Sequence, residues 1–285
     1  MATLLDIRRR IRSVKSTQQI TRAMKMVAAA RLRRAQERVL SIRPYARQAL
    51  AMLESVAART EQRAHPLLAE RPVEKILLVL VTADRGLCGA FNTNLIRAAQ
   101  NYQADHRGQR VSMILVGRKG LDFFRKHPAA VVSEHANLFG RLEFSHGQKI
   151  AGEIIDLYTR QAVDAVDFLY NEFKSILTQR LTVERYLPIR PMKPPEGEAL
   201  IDYLYEQPAA EIFASLLPRY VEIEVYRALL ESQAGEFAAR MTAMDSATNN
   251  AAEMIDDLTL HMNRVRQAAI TREIIEVVSG GAAAQ

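Results

Sequence analysis

Residues 1–47 read MATLLDIRRRIRSVKSTQQITRAMKMVAAARLRRAQERVLSIRPYAR. The stretch holds 13 Lys/Arg against two acids, Asp6 and Glu37, a net +11 in a chain whose total is +7, so the other 238 residues sum to −4. Through it runs a row spaced alternately three and four apart: Ile7, Ile11, Val14, Gln18, Thr21, Lys25, Ala28, Leu32, Ala35, Val39, Ile42. That alternation predicts one long helix seated along a single seam of a coiled coil, with its charge on the remaining circumference. Like charges at i, i+4, as in Arg8/Arg12 and Arg34/Arg38, destabilise a helix. An uncompensated excess of them therefore predicts an acidic partner surface. Gln18, Thr21 and Lys25 interrupt the seam, and polar seam residues fix register at some cost in stability. Met24, Met26 and Val27 lie off it, which places adaptable apolar side chains outward.

A helix with one apolar seam needs a second. From 219 to 278 there is no proline and one glycine, Gly235. Here Leu230, Ala234, Phe237, Met241, Met244, Thr248, Ala251, Ile255, Leu258, Met262, Val265 and Ala269 repeat the alternation. At 1.5 Å per residue each element would be roughly 80–90 Å long, beyond what a lone globular helix sustains. Pairing the two is the economical solution. If both pack on one middle domain, one leaves it and the other returns, so they run antiparallel. Pro44 should kink or end the first helix near residues 40–44, with resumption through 45–59. Near the other end Ile270, Ile274, Ile275, Val277 and Val278 cover more than one face, and such a tip calls for a protein sheath.

Between the helices the period changes. Residues 76–81 form an unbroken apolar run, followed by a turn at 82–89 and a helical pattern at 91–103. Further strands are predicted at 111–116 and 129–133, with helices at 119–126 and 148–159. Alternating strands and helices predict a parallel sheet covered by helices. Segments 163–174 and 179–187 look like a closing antiparallel pair, and 188–208, with five prolines, a loop. The fold class is thus α/β: a long antiparallel coiled coil of N- and C-terminal helices with an inserted Rossmann-like α/β domain. Its divisions are 1–58, 74–206 and 209–285.

Few residues promise chemistry. The one glycine-rich loop, Asp84 to Asn92, follows a strand and opens a helix, where phosphate can bind, but it lacks both GxGxxG and GxxxxGK[ST]. Its glycines read first as turn and packing devices. Cys88, the only cysteine, excludes an intramolecular disulfide and has no His or cation partner at activating spacing. The six histidines, expected on loops or helix surfaces, form no ligand motif. Asp256–Asp257 and Glu222/Glu224 read as solvated helix faces. No nucleophile, base and orienting group assemble, so no catalytic, metal or cofactor site is expected. No run is long enough to span a bilayer. The basic amphipathic start lacks a secretory signal's apolar core and stays in register past residue 40, which favours mature structure over a transit peptide.

The quoted motifs resemble a family. Residues 2–8 (ATLLDIR), 19–30 (QITRAMKMVAAA), Arg43-Pro44-Tyr45, the 82–92 loop, and 266–273 (RQAAITRE) with Val278-Ser279-Gly280 are similar to the gamma subunit of F-type ATP synthases, in the family's order along essentially the whole chain. The resemblance implies a central shaft whose terminal helices sit in a hexamer of three alpha and three beta subunits. Its middle domain would rest on the membrane c-ring with epsilon, and ion flow would turn it so that the catalytic sites of the hexamer change in turn. It implies a non-catalytic subunit, peripheral at the cytoplasmic face of a bacterial plasma membrane. By the same resemblance Met24 and Lys25 become contacts near acidic beta loops, and Arg266, Gln267, Thr271 and Glu273 upper hexamer contacts. Tyr203, Tyr205 and Glu206 belong to the foot near the ring and epsilon. Chloroplast members carry a dithiol insert; a lone Cys88 makes thiol switching absent. The rival readings are a basic coiled-coil nucleic-acid-binding protein, using the same arginines on phosphates, and an enzyme with a dinucleotide in the middle domain.

Overall fold

Six consecutive apolar residues cannot alternate between a wet and a dry face, so strand β1 (Lys75–Val81) has to be covered on both sides. In the computed structural model, which describes residues 3–57, 65–127, 129–176, 178–189 and 208–283, Ile76 to Val81 are all at most 1% exposed. The order continues with α2 (Phe91–Asp105), β2 (Arg110–Val116), α3 (Arg118–Phe124), β3 (Ala130–His135), α4 (Phe144–Thr159), β4 (Ala165–Phe173) and β5 (Gln179–Leu187). Helices α1 (Leu4–Ala57) and α5 (Ala209–Ala283) bracket them in sequence. The sheet order is β3-β2-β1-β4-β5, with β2 and β4 both parallel to β1, and β5 alone antiparallel. The expected closing pair is present, and its first strand is also a full member of the parallel sheet.

One face of the sheet packs Ile76, Leu78, Leu80, Met113, Leu115 and Leu169 against Phe91, Leu95 and Ala99 of α2 and Leu121 and Phe124 of α3. Each such side chain contributes about 1.5–3 kcal/mol on full burial. The face on which Phe168 stacks with Tyr186 meets α5, because the Tyr186 hydroxyl donates to the Glu224 carbonyl at 3.2 Å. Helix α4 approaches α5 so closely at Gly147 that a Cβ there would lie 2.9 Å from Tyr226 Cβ and 3.2 Å from its Cα.

The chain divides into two compact units, one of residues 1–28 with 240–285 and one of residues 29–239. In each, α1 and α5 run antiparallel: Thr21 meets Thr248 and Lys25 meets Asp245 in the first, and Arg43 meets Glu231 in the second. Every predicted α1 seam residue is buried or half-buried, and so is every α5 one except Ala269, which is exposed. Two prolines lie inside the long helices. Helix α1 passes through Pro44 to Ala57, and α5 begins ahead of Pro218. Each proline frees one carbonyl four residues back, at Leu40 and Ala214. Both of those residues are exposed, so water can take the place of the missing N–H.

Candidate functional site

The glycine-rich loop after β1 is stitched inward by its own side chains. The Asp84 carboxylate accepts from the backbone N–H of Arg118 (3.1 Å), Asn137 (2.7 Å) and Phe139 (3.0 Å). Asn92 accepts from Ala83 N–H at 2.9 Å and donates to the Arg85 carbonyl at 3.3 Å. Gly89 has φ +57°, a conformation that suits a residue without Cβ. Cys88 is buried, with its sulfur accepting from the Asn92 amide at 3.1 Å. The structure thus gives this loop the turn-and-packing role.

In such sheets a ligand sits outside the carboxyl ends of the strands where the order reverses, here between β1 and β4. That place is filled by the chain itself. A Cβ built on Gly235 of α5 would meet Phe91 Cε2 and Gln179 Cγ at 3.5 Å and Asn171 Cβ at 3.7 Å. The dinucleotide reading therefore loses its crevice to α5.

Among the described residues there is no group of three or more His, Cys, Asp and Glu placed to hold a metal ion. His135 corrects the expectation of surface histidines. It is buried at the end of β3, its Nε2 lies 3.0 Å from Glu153 Oε2, and Ser133 donates to the same oxygen at 2.8 Å. Glu222 and Glu224 are likewise not simply solvated. Glu222 accepts from Gln148 at 3.1 Å, and Glu224 pairs with Arg227 at 2.5 Å. Sequence spacing carried no signal of the His135 and Glu222 contacts, whose partners lie on other elements, whereas the i, i+3 spacing of Glu224 and Arg227 was there to be read. Burial holds the Tyr102 phenol well above its usual pKa, reinforced by its hydrogen bond to Asp167. Arg185 clamps that carboxylate at 2.6 and 3.0 Å, which makes a structural cluster joining α2, β4 and β5.

What remains exposed is a surface for partners. Of the residues singled out by resemblance, Met24 is half-buried, and Lys25 donates to Asp245 at 2.6 Å with 41% of its side chain exposed. Arg266, Gln267, Thr271 and Glu273 all stand exposed on α5. Tyr203, Tyr205 and Glu206 lie outside the described residues. Off the seam, Met26 is 60% and Val27 53% exposed. The apolar tip is bare, with Ile274 57%, Ile275 59% and Val277 74% exposed; the Val278 side chain lies outside the described residues. Exposed apolar rows of this kind mark protein interfaces. No helix among the described residues is long and apolar enough to cross a membrane.

The family model described as ATP synthase matches residues 3–284, and the ATP synthase gamma chain of Solibacter usitatus is 55% identical over 289 residues, covering 100% of both chains. The chain belongs to the ATP synthase gamma-chain family. The gamma chain of Geobacter sp. strain M21 is 47% identical, with 98% of each chain covered. Among solved structures, the Tetrahymena thermophila mitochondrial ATP synthase central stalk and c-ring gives a TM-score of 0.62 at 26% identity, covering 80% of this chain and 99% of that one. A chain of the Euglena gracilis mitochondrial enzyme reaches a TM-score of 0.69 at 19% identity, covering 98% and 94%, which bears on the fold. Membership in this family fits the paired basic helix, the exposed apolar residues near the end of α5 and the filled crevice of the α/β domain.

Proposed function

We propose that this chain is the central rotary shaft of an F-type ATP synthase. It couples ion-driven turning of the membrane ring to conformational change at the catalytic sites of an alpha/beta hexamer. One observation carries the reading: gamma chains match it end to end at about half identity. In this role the subunit is non-catalytic, and its work is mechanical. The α1–α5 pair is the axle and the α/β domain its foot, in the division 1–58, 74–206 and 209–285. Met24 and Lys25 face acidic beta loops, and Arg266, Gln267, Thr271 and Glu273 meet the hexamer higher up. Tyr203, Tyr205 and Glu206 serve the foot near epsilon and the c-ring. Attachment to the membrane is indirect, at the cytoplasmic face of a bacterial plasma membrane. The nucleic-acid reading has no separate support.

Purification of the tagged full chain from its host under mild conditions tests this. Alpha and beta subunits in about a three-to-one excess over the chain, with epsilon, are expected from a closed hexamer around one axle. Recovery with RNA and without those subunits overturns it.

A further inference from the structure

Arg31, Arg34 and Arg38 recur at i, i+3 and i+7, so they share one face of α1. With Arg141 of the loop before α4 and Gln233 of α5, they line a recess of about 650 Å³, inside one compact unit of the chain. That volume lies within the range of small-molecule sites, roughly 300–1,000 Å³. Four guanidinium groups meet one lining acid, Glu37, whose carboxylate is turned to Arg33 at 3.4 Å. Arg34 has no ion-pair partner among the described residues. Among the described residues Arg141 pairs with the exposed carboxylate of Glu143, at 2.9 Å, a type of pair worth little in water.

The walls are built in advance. Arg38 Nη1 donates to the Leu142 carbonyl at 3.1 Å, and the Gln233 amide donates to the Phe139 carbonyl at 2.9 Å. Asp84 fixes the same loop through the N–H groups of Asn137 and Phe139. Preorganised donors lower the cost of ordering on binding. We propose that this recess binds a compact phosphate-bearing polyanion, of the class of inorganic polyphosphate or a nucleoside triphosphate. Guanidinium forks match phosphate oxygens two at a time, and a bound polyanion relieves the repulsion among Arg31, Arg34 and Arg38. The proposal stands apart from the shaft reading, since it shares no residue with the proposed hexamer contacts.

The test titrates the purified full chain with tripolyphosphate and with ATP, without divalent cation, by calorimetry. The expected result is saturable one-site binding and a melting temperature that rises with ligand concentration. Arg34→Gln with Arg141→Gln weakens binding at least about tenfold. Both side chains are exposed, and unchanged helix content in the variant confirms that the fold is intact. Arg8→Gln with Arg12→Gln removes the same charge away from the recess and weakens binding less than about threefold, as screened long-range attraction would. Equal loss in both double variants, or no saturable binding, overturns the proposal. ATP binding more tightly than tripolyphosphate identifies the nucleotide as the ligand, and equal affinity identifies the phosphate chain. A polyglutamate peptide that binds as tightly, with the same loss in the recess variant, overturns the assignment to phosphate.

Discussion

Two glycines of one helix illustrate what a single position decides. In α4, Gly147 lies under the backbone of Tyr226, where a Cβ would come within 3.2 Å of Tyr226 Cα, whereas Gly152 has nothing within 4 Å. Gly147→Ala forces the two helices apart and should cost about 1–3 kcal/mol. Gly152→Ala should add about 0.5–1 kcal/mol, by the helix preference of alanine. Denaturant midpoints of the two variants should therefore move in opposite directions, and a shift of the same sign would refute the packing account. Nothing in the local sequence separates these glycines, because what distinguishes them is a residue almost eighty positions away. His65 offers a second test. Its Nδ1 accepts the Leu67 N–H at 3.3 Å, and burial holds its pKa below the ordinary 6.5. The fold thus requires the neutral ring. The contribution is complete above the unfolded pKa and is lost as pH falls from there through the lowered folded value. His65→Asn keeps an acceptor without a titration, so the variant should gain on the parent between pH 8 and 5 in paired melts. A constant difference across that range would count against a titrating cap.

At the scale of the element, the seam was legible because a period of three and four survives every tertiary detail. The strands were legible because β1 is apolar on both faces. Less legible was what the polar seam residues do. They read as register-fixing breaks in the seam, and two of them make specific bonds across it. Thr248 Oγ1 donates to Thr21 Oγ1 at 2.9 Å, Thr21 donates onward to the Gln18 carbonyl at 3.0 Å, and Lys25 pairs with Asp245. Thr21 is 9% exposed, and each hydroxyl also reaches a carbonyl of its own helix, Thr248 that of Met244 at 2.7 Å, so losing one removes the cross-helix bond without stranding the other. Thr21→Val or Thr248→Val alone should cost about 1 kcal/mol, and the two together clearly less than the sum, because either change already removes the shared bond. A double-mutant cycle on the helical melting transition measures this, and simple additivity of the two losses would show that the pair does not act as one. Whether Pro44 would end the first helix or be carried within it was not legible, for a related reason. A proline's cost depends on which way its freed carbonyl faces, and one strand of sequence does not say.

At the scale of the whole molecule, a shaft has to pass torque between its helix pair and its sheet, and a single arginine sits where they meet. Arg227 of α5 reaches Glu224 at 2.5 Å, Glu231 at 3.4 Å and Glu184 of β5 at 3.5 Å, while Arg43 of α1 reaches the same Glu231 at 3.4 Å and the Phe173 carbonyl of β4 at 2.9 Å. Tyr170 of β4 donates to Glu184 at 3.0 Å, so two helices and two strands share one partly buried network. No sequence pattern announces it, because its members come from positions 43, 170, 184 and 224–231 and meet only in the fold. Glu231 is 2% exposed at its side chain, and burial raises its pKa against the pull of Arg227 and Arg43. Arg227→Leu leaves Glu224 facing low dielectric without its cation and Glu231 with Arg43 alone, which should cost about 3–5 kcal/mol. Adding Glu224→Leu removes the carboxylate left without its cation and should recover a good part of that loss. In assembled enzyme the single variant should keep more ATP hydrolysis than ion pumping, read side by side in inverted membrane vesicles, because the hexamer can still fire while the joint between axle and foot yields. Parallel loss of both activities, with stability restored in the double variant but coupling no better, would show that the network merely holds the fold and passes no torque.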